Sequence, residues 1–353
     1  MDARHYHPLA TGDAAPPCIA FKADGKLFAS EAQAGRPLAL LAVATLDDPR
    51  VRALIGALDA ALPVLHAHGC DALALTREDP FAAFRFQQAH QPNLTVAGQG
   101  ESFIRACGLE AAVPCLLAID RNWRIVATHP FGDTPAEALA AAVCADLAAL
   151  PREAPQRLDM PAPVLILPNL IDKGMVAELI GLHGSGGSFE SGVTSIDAAG
   201  RSYMKLDPTR KSRRDHWIAE ETPLHARLHD VFAKRLFPEI NKVFQAEMSF
   251  ADRLLVACYP EQQGLFTRHR DNSSPTVAFR KFAMSLNLNV GDYEGGDLIF
   301  PEYSPHLYSP PTGGAAVFSA SLLHEVTRVT RGNRYVLLTF FHDAAGEAMR
   351  LAS

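Results

Sequence analysis

The sequence predicts two domains, an α/β domain followed by a β-rich domain of antiparallel sandwich or barrel type. Three observations carry this. At 353 residues the chain exceeds what one small core organises. Its first half alternates apolar runs with helical patterns, whereas from Leu254 onward it turns to short strands punctuated by Gly and Pro. Between the halves, Pro151 to Pro163 holds four prolines and several charges, a linker composition that places the boundary near residue 155 and gives domains 1–155 and 156–353.

In the first domain, Pro37 to Leu46 reads as a buried strand, Asp48 to His68 as a helix, Ala72 to Thr76 as a strand and Pro80 to His90 as a helix. Strands alternating with helices imply a sheet covered on its faces. Cys115 to Ile119 and Trp123 to Thr128 come next as two β runs joined at the turn Asp120-Arg121-Asn122, and Thr134 to Ala149 closes the domain as a helix.

In the second domain, Val164 to Leu167 is a predicted strand, and Asp172 to His183 a helix whose Asp can cap the free amides. Gly184 to Gly187 lacks the Lys-Ser/Thr of a phosphate cradle and reads as a turn. Thr222 to Glu247 is the longest helical pattern, broken or bent at Pro238, with Leu224, Leu228, Val231, Phe232 and Phe244 on its core face. Strands are then expected at Leu254 to Tyr259, Phe282 to Asn289, Asp297 to Phe300, Ala315 to Ser319, Glu325 to Thr330 and Tyr335 to His342.

Composition narrows the function classes. The formal charge of −6 opposes nucleic-acid binding, which needs a basic face. Met1 to Ala20 carries Asp13 and polar residues where an export signal needs an apolar core. Apolar stretches such as Leu38 to Ala44 fall short of the ~20 residues of a membrane span, so a cytoplasmic protein with no membrane partner is expected. Six scattered cysteines without CxxC spacing predict reduced, mostly buried thiols.

The chemistry concentrates at His269-Arg270-Asp271. On an extended segment, side chains two positions apart point to one side, so an imidazole and a carboxylate converge. An HxD alone arises by chance in a chain with 14 histidines. Its ordered context strengthens the signal: a Gly-Gly-Asp turn, an apolar strand, His324, and Arg334 ten positions later. Two His and one carboxylate make a facial triad that leaves positions open on non-haem Fe(II). Arg334 offers a rigid two-pronged donor for the far carboxylate of 2-oxoglutarate, its alternative being a surface ion pair.

Together, Ala257-Cys258-Tyr259-Pro260, His269-Arg270-Asp271-Asn272, Tyr293-Glu294-Gly295-Gly296-Asp297-Leu298 and His324-Glu325-Val326 through Arg334-Tyr335 resemble the prolyl 4-hydroxylase family over about residues 161 to 345. The resemblance implies a double-stranded β-helix, or jelly roll, with supporting helices. It also implies an Fe(II)- and 2-oxoglutarate-dependent dioxygenase that hydroxylates an unactivated C–H bond, of a prolyl residue or another carbon. His269, Asp271 and His324 then bind iron, Arg334 binds 2-oxoglutarate, and Tyr259 lines the cosubstrate site. Where the hypoxia-sensing relatives carry a second tyrosine that touches 2-oxoglutarate, Asn287 stands in this chain, and the resemblance implies that its amide donates to the cosubstrate. Thr339 and Phe340 line the same site or pack in the core. Dioxygen, a protein, peptide or small-molecule prime substrate, release of succinate and carbon dioxide, and ascorbate as reductant belong to the same implication.

Pro8 to Pro16, the strand from Pro37, Ala112-Val113-Pro114-Cys115 and Ile119 to Ile125 resemble a peroxiredoxin-type thioredoxin fold over about residues 7 to 150, with Pro114 as its cis proline. A peroxidatic cysteine would follow the strand ending near Thr45, yet Leu46 to Val51 contains no thiol. A degenerate redoxin serving substrate docking or homodimerisation is expected. A redoxin-type thiol peroxidase with an accessory C-terminal domain is the alternative, and Cys115 is the cysteine to test. The basic run Lys205 to Arg214 reads as a solvated loop or, if functional, as a strip for an acidic substrate.

Overall fold

The computed structural model describes residues 9–109, 114–152, 157, 159–196 and 202–352. The chain divides into two compact units, Met1–Pro155 and Gln156–Ser353. The predicted Val113–Pro114 bond and the centre of the linker lie outside the described residues.

The first unit contains β1 (Ile19–Lys22), β2 (Leu27–Ala29), β3 (Leu38–Val43), α1 (Pro49–Ala67), β4 (Asp71–Thr76), α2 (Pro80–His90), β5 (Thr95–Gly98), α3 (Glu101–Ala106), β6 (Cys115–Ile119), β7 (Ile125–Pro130) and α4 (Ala136–Ala148). They form one sheet in the order β2-β1-β5-β4-β3-β6-β7. β3 to β5 run parallel, while β6 is antiparallel to β3 and makes a hairpin with β7. This is a thioredoxin-like sheet. Strand β3 shows why it needs two covering layers. Ala39, Leu41 and Val43 point into the core beneath α1 and α4, whereas Leu38, Leu40 and Ala42 face a second core with Phe103 and Ile104 of α3. The hairpin β1–β2, strand β5 and helix α3 escape the sequence reading because each is a short run of weak periodicity.

At the end of β3, where a redoxin would hold its nucleophile, Asp48 accepts from the Arg50 N–H and caps α1. No thiol stands there. Five of the six cysteines are buried and all are free. Burial pushes the Cys115 thiol up to about 11 and the Cys18 thiol to about 12.

The second unit begins with β8 (Val164–Leu167), α5 (Lys173–Gly184), β9 (Phe189–Glu190), β10 (Val193–Ile196), β11 (Ser202–Lys205), β12 (Lys211–Ser212) and β13 (Arg214–Trp217). Helices α6 (Pro223–Val231) and α7 (Phe237–Phe244) follow. Then come β14 (Phe250–Tyr259), β15 (Leu265–His269), β16 (Phe282–Asn287), β17 (Glu294–Gly295), β18 (Leu298–Phe300), β19 (Ser304–Tyr308), β20 (Ala315–Ser319), β21 (His324–Val326), β22 (Val329–Arg331), β23 (Arg334–His342) and α8 (Ala344–Ala352). A seven-stranded sheet, β8-β20-β16-β23-β14-β13-β9, and a five-stranded sheet, β12-β15-β21-β18-β19, make the jelly roll.

Strand alternation builds its two cores. Leu255, Ala257 and Tyr259 of β14 join Leu298, Phe300 and Val326 of the smaller sheet between the layers. Leu254 and Val256 point the other way, onto Leu179 of α5 and Leu228 of α6. The helical pattern over Thr222 to Glu247, expected to bend or break at Pro238, forms two helices joined by a π-turn at Phe232–Leu236, and it ends at Phe244. Pro238 has no N–H to continue the ladder, and the Phe237 N–H reaches back to the Phe232 carbonyl. The expected strand Glu325 to Thr330 is likewise two. β21 pairs within the smaller sheet, whereas β22 pairs with β17.

Candidate metal centre and cosubstrate site

Antiparallel pairing sets His269, the last residue of β15, directly opposite His324, the first of β21. Asp271 lies in the turn after β15, its N–H fixed by the Ala320 carbonyl. The three side chains offer ligand atoms that all lie within 4.8 Å of one another. Asp271 Oδ1 is 3.5 Å from His269 Nε2, and Oδ2 is 3.4 Å from His324 Nε2.

The tautomers are set from behind. His269 Nδ1 is 2.8 Å from the Thr267 carbonyl and His324 Nδ1 is 2.9 Å from that of Leu322. A carbonyl only accepts, so each Nδ1 carries the proton and each Nε2 lone pair faces the shared point. Phe266 stacks on His269 at 3.5 Å between centroids, and Phe318 meets His324 edge-on at 4.7 Å. Burial pushes His324 down to about 4 against the pull of Asp271, so the imidazole is neutral at neutral pH. Burial alone would raise Asp271, but His324 and His269 outweigh it and hold the carboxyl at about 2. Two imidazoles presenting Nε2 and one carboxylate suit a divalent first-row metal.

A cavity contains this cluster, and Arg213, Tyr259, Ser285, Phe318, Leu338 and Phe340 are among its other walls. Arg334 is 2 % exposed and adjoins two of these residues. Its Nη2 donates to Ser285 Oγ at 3.3 Å, and its Cζ is 5.2 Å from the Tyr259 ring centre. Nη2 also donates to Asn287 Oδ1 at 2.9 Å, while the Asn287 amide nitrogen donates to the Pro310 carbonyl. Asn287 thus spends both ends of its amide inside the protein, holding Arg334. Arg334 Nε and Nη1 are buried and have no hydrogen-bond partner. A guanidinium left this way calls for an anion.

The Gly-Gly turn explains how Arg334 fits. Gly296 has φ +70°, and a Cβ there would sit 2.6 Å from Arg334 Cδ. Phe340 lines the cavity, whereas Thr339 is fully buried and donates to the Asp252 carbonyl.

The solvated reading of Lys205 to Arg214 is corrected at two positions. Arg213 and Lys211 turn inward. Arg213 donates from Nε and Nη2 to the two Asp215 oxygens at 2.6 and 2.8 Å, and from Nη1 to Tyr259 Oη at 3.3 Å. Lys211 sits 4.9 Å above the Phe266 ring and donates to the Gly192 carbonyl. Arg213-Arg214-Asp215 has the same two-residue spacing as His269-Arg270-Asp271, and that spacing was the available signal.

Residues 254–342 match the 2OG-Fe(II) oxygenase superfamily. A PKHD-type hydroxylase of Acinetobacter baumannii is 25 % identical over 183 residues, covering 48 % of this chain and 73 % of that protein. Among solved structures, a Trichoplax adhaerens prolyl hydroxylase in complex with a hypoxia inducible factor peptide covers 54 % of this chain and 87 % of its own, at 18 % identity and TM-score 0.42. The peroxidoxin BcpB of Mycobacterium tuberculosis covers 41 % of this chain and 99 % of its own, at 10 % identity and TM-score 0.36. Residues 254–342 of the C-terminal unit thus match a 2OG-Fe(II) oxygenase domain, which supports an oxygenase function and implies iron and 2-oxoglutarate.

Proposed function

We propose that the chain is an Fe(II)- and 2-oxoglutarate-dependent dioxygenase that hydroxylates an unactivated C–H bond of a protein, peptide or small molecule, a prolyl residue being the first candidate. The observation that carries this is the convergence of His269, Asp271 and His324 on one point inside a cavity. His269 and His324 would supply Nε2 and Asp271 a carboxylate oxygen, leaving the cavity side of the metal free.

Arg334 would receive the far carboxylate of 2-oxoglutarate on its unpartnered Nε and Nη1, with Ser285 and Asn287 steering the guanidinium through Nη2. Tyr259 would line the same site through its hydroxyl. Phe318, Leu338 and Phe340 keep the reacting centre dry. When bound, iron with 2-oxoglutarate and dioxygen supplies the oxidising power, with release of succinate and carbon dioxide and with ascorbate as the reductant that maintains Fe(II). The N-terminal unit is assigned to substrate docking or homodimerisation, in a cytoplasmic protein. Among the described residues no helix is long and apolar enough to cross a membrane.

Succinate release with and without added Fe(II) tests the reading. We expect turnover that requires the metal and is abolished by His269→Ala; turnover unchanged in that variant removes the ligand assignment.

A further inference from the structure

We propose that Arg213, locked by Asp215, is a positioning residue that makes the Tyr259 hydroxyl a hydrogen-bond donor to the carboxylate-bearing cosubstrate. This rests on the reading of the cavity as a 2-oxoglutarate site. Hydrogen-bond polarity sets the direction of the contact. A guanidinium has five N–H groups and nothing to accept with, so in the 3.3 Å contact Arg213 Nη1 donates and Tyr259 Oη accepts. The phenol has one proton, and this contact does not use it. Among the described residues Tyr259 Oη donates to no protein acceptor. Tyr259 lines the cavity beside His269 and Asp271, so its proton is available to a ligand that accepts. Carboxylate and keto oxygens only accept.

Asp215 makes the arrangement rigid. It engages Nε and Nη2 together, a two-pronged pair whose side chains are 9 % and 4 % exposed. Rotation of Arg213 would break both bonds at once, so Nη1 is held on the phenol. Arg213 and Arg334 also stand 5.7 and 5.2 Å from the Tyr259 ring centre. Two cations beside one phenol strengthen its O–H as a donor. Such a buried pair costs desolvation, and a placement duty of this kind is a reason for its presence.

The test is calorimetric titration of 2-oxoglutarate into the full chain loaded with Mn(II), which occupies the same ligand set without turnover. Removing Arg213 alone would strand a buried aspartate, so the pair is neutralised together as Arg213→Met/Asp215→Asn, with and without Tyr259→Phe. With Tyr259 present the pair substitution should weaken 2-oxoglutarate binding about tenfold, the size of one charge-assisted hydrogen bond, and in the Tyr259→Phe background by less than about twofold. Equal weakening in both backgrounds, or none in either, overturns the proposal. Should the pair variant not fold, Arg213→Lys keeps the charge beside Asp215 but loses the fork, and should show the same Tyr259-dependent loss. Wild-type affinity in that variant overturns it too. A wild-type chain that binds Mn(II) but no 2-oxoglutarate sinks the cosubstrate-site reading itself, a result distinct from an empty cycle.

Discussion

At Gly296 a single missing Cβ decides whether Arg334 can lie where it does, since the added carbon would come within 2.6 Å of its Cδ. Gly296→Ala should therefore raise the 2-oxoglutarate KM about tenfold or more while Mn(II) affinity stays unchanged, because the guanidinium shifts and the metal cluster does not. Unaltered KM would move the anchor away from Arg334. Lys211 tests the electrostatics. Burial pushes its ammonium down to about 7; Arg213 and Arg253 push the same way, while Asp215 and Asp271 oppose. The unfolded chain takes up this proton near pH 10.5 and the folded chain only near 7, so Lys211 lowers stability as pH falls through that window and by a constant amount below it. Lys211→Met, which keeps the stem, should raise stability by on the order of 1–2 kcal/mol at pH 7, allowing for the solvent the side chain still meets, with the gain fading toward pH 10.5. Denaturant melts at pH 7 and 10 measure it.

Elements explain why the ligands meet. His269 and His324 lie 55 residues apart in sequence, yet the β15–β21 pairing makes them direct neighbours. β14 supplies Tyr259 from the opposite sheet, and β23 supplies Arg334 beside it in register. α5 packs behind β14, and Asp172 caps it by accepting from the Met175 N–H. Asp172→Ala should cost about 1 kcal/mol in stability and leave 2-oxoglutarate affinity unchanged, since a cap supports the scaffold and not the cavity wall. A changed affinity in an equally folded variant would show that α5 steers the site. Helix α5 was legible from its capping residue Asp172, and the segment of α6 and α7 from the apolar spacing of Leu224, Leu228 and Val231, whereas α8 was not anticipated. The split of the segment after His324 into β21 and β22 was not legible, because each piece finds a different partner strand.

Across the whole molecule, every residue of the candidate centre belongs to the unit Gln156–Ser353. That fragment alone should retain metal-dependent 2-oxoglutarate turnover; loss of turnover in a folded fragment would assign the first unit a part in the reaction. In the first unit Cys18, Cys107 and Cys115 are 0 % exposed, and burial raises all three thiols. They should resist alkylation at pH 8 until the chain unfolds, as mass spectrometry can follow, and the chain should not consume peroxide. Rapid native alkylation of Cys115 would revive the thiol-peroxidase alternative. The sequence by itself determined the two-part organisation and the longer strands and helices of each half, and singled out His269, Asp271, His324 and Arg334 as candidates, because periodicity and short motifs are local properties. Only the tertiary structure decided that Asn287 serves Arg334 and that Arg213 and Lys211 turn inward from a basic run. Burial and hydrogen-bond partners come from strands distant in sequence, and no spacing along the chain encodes them.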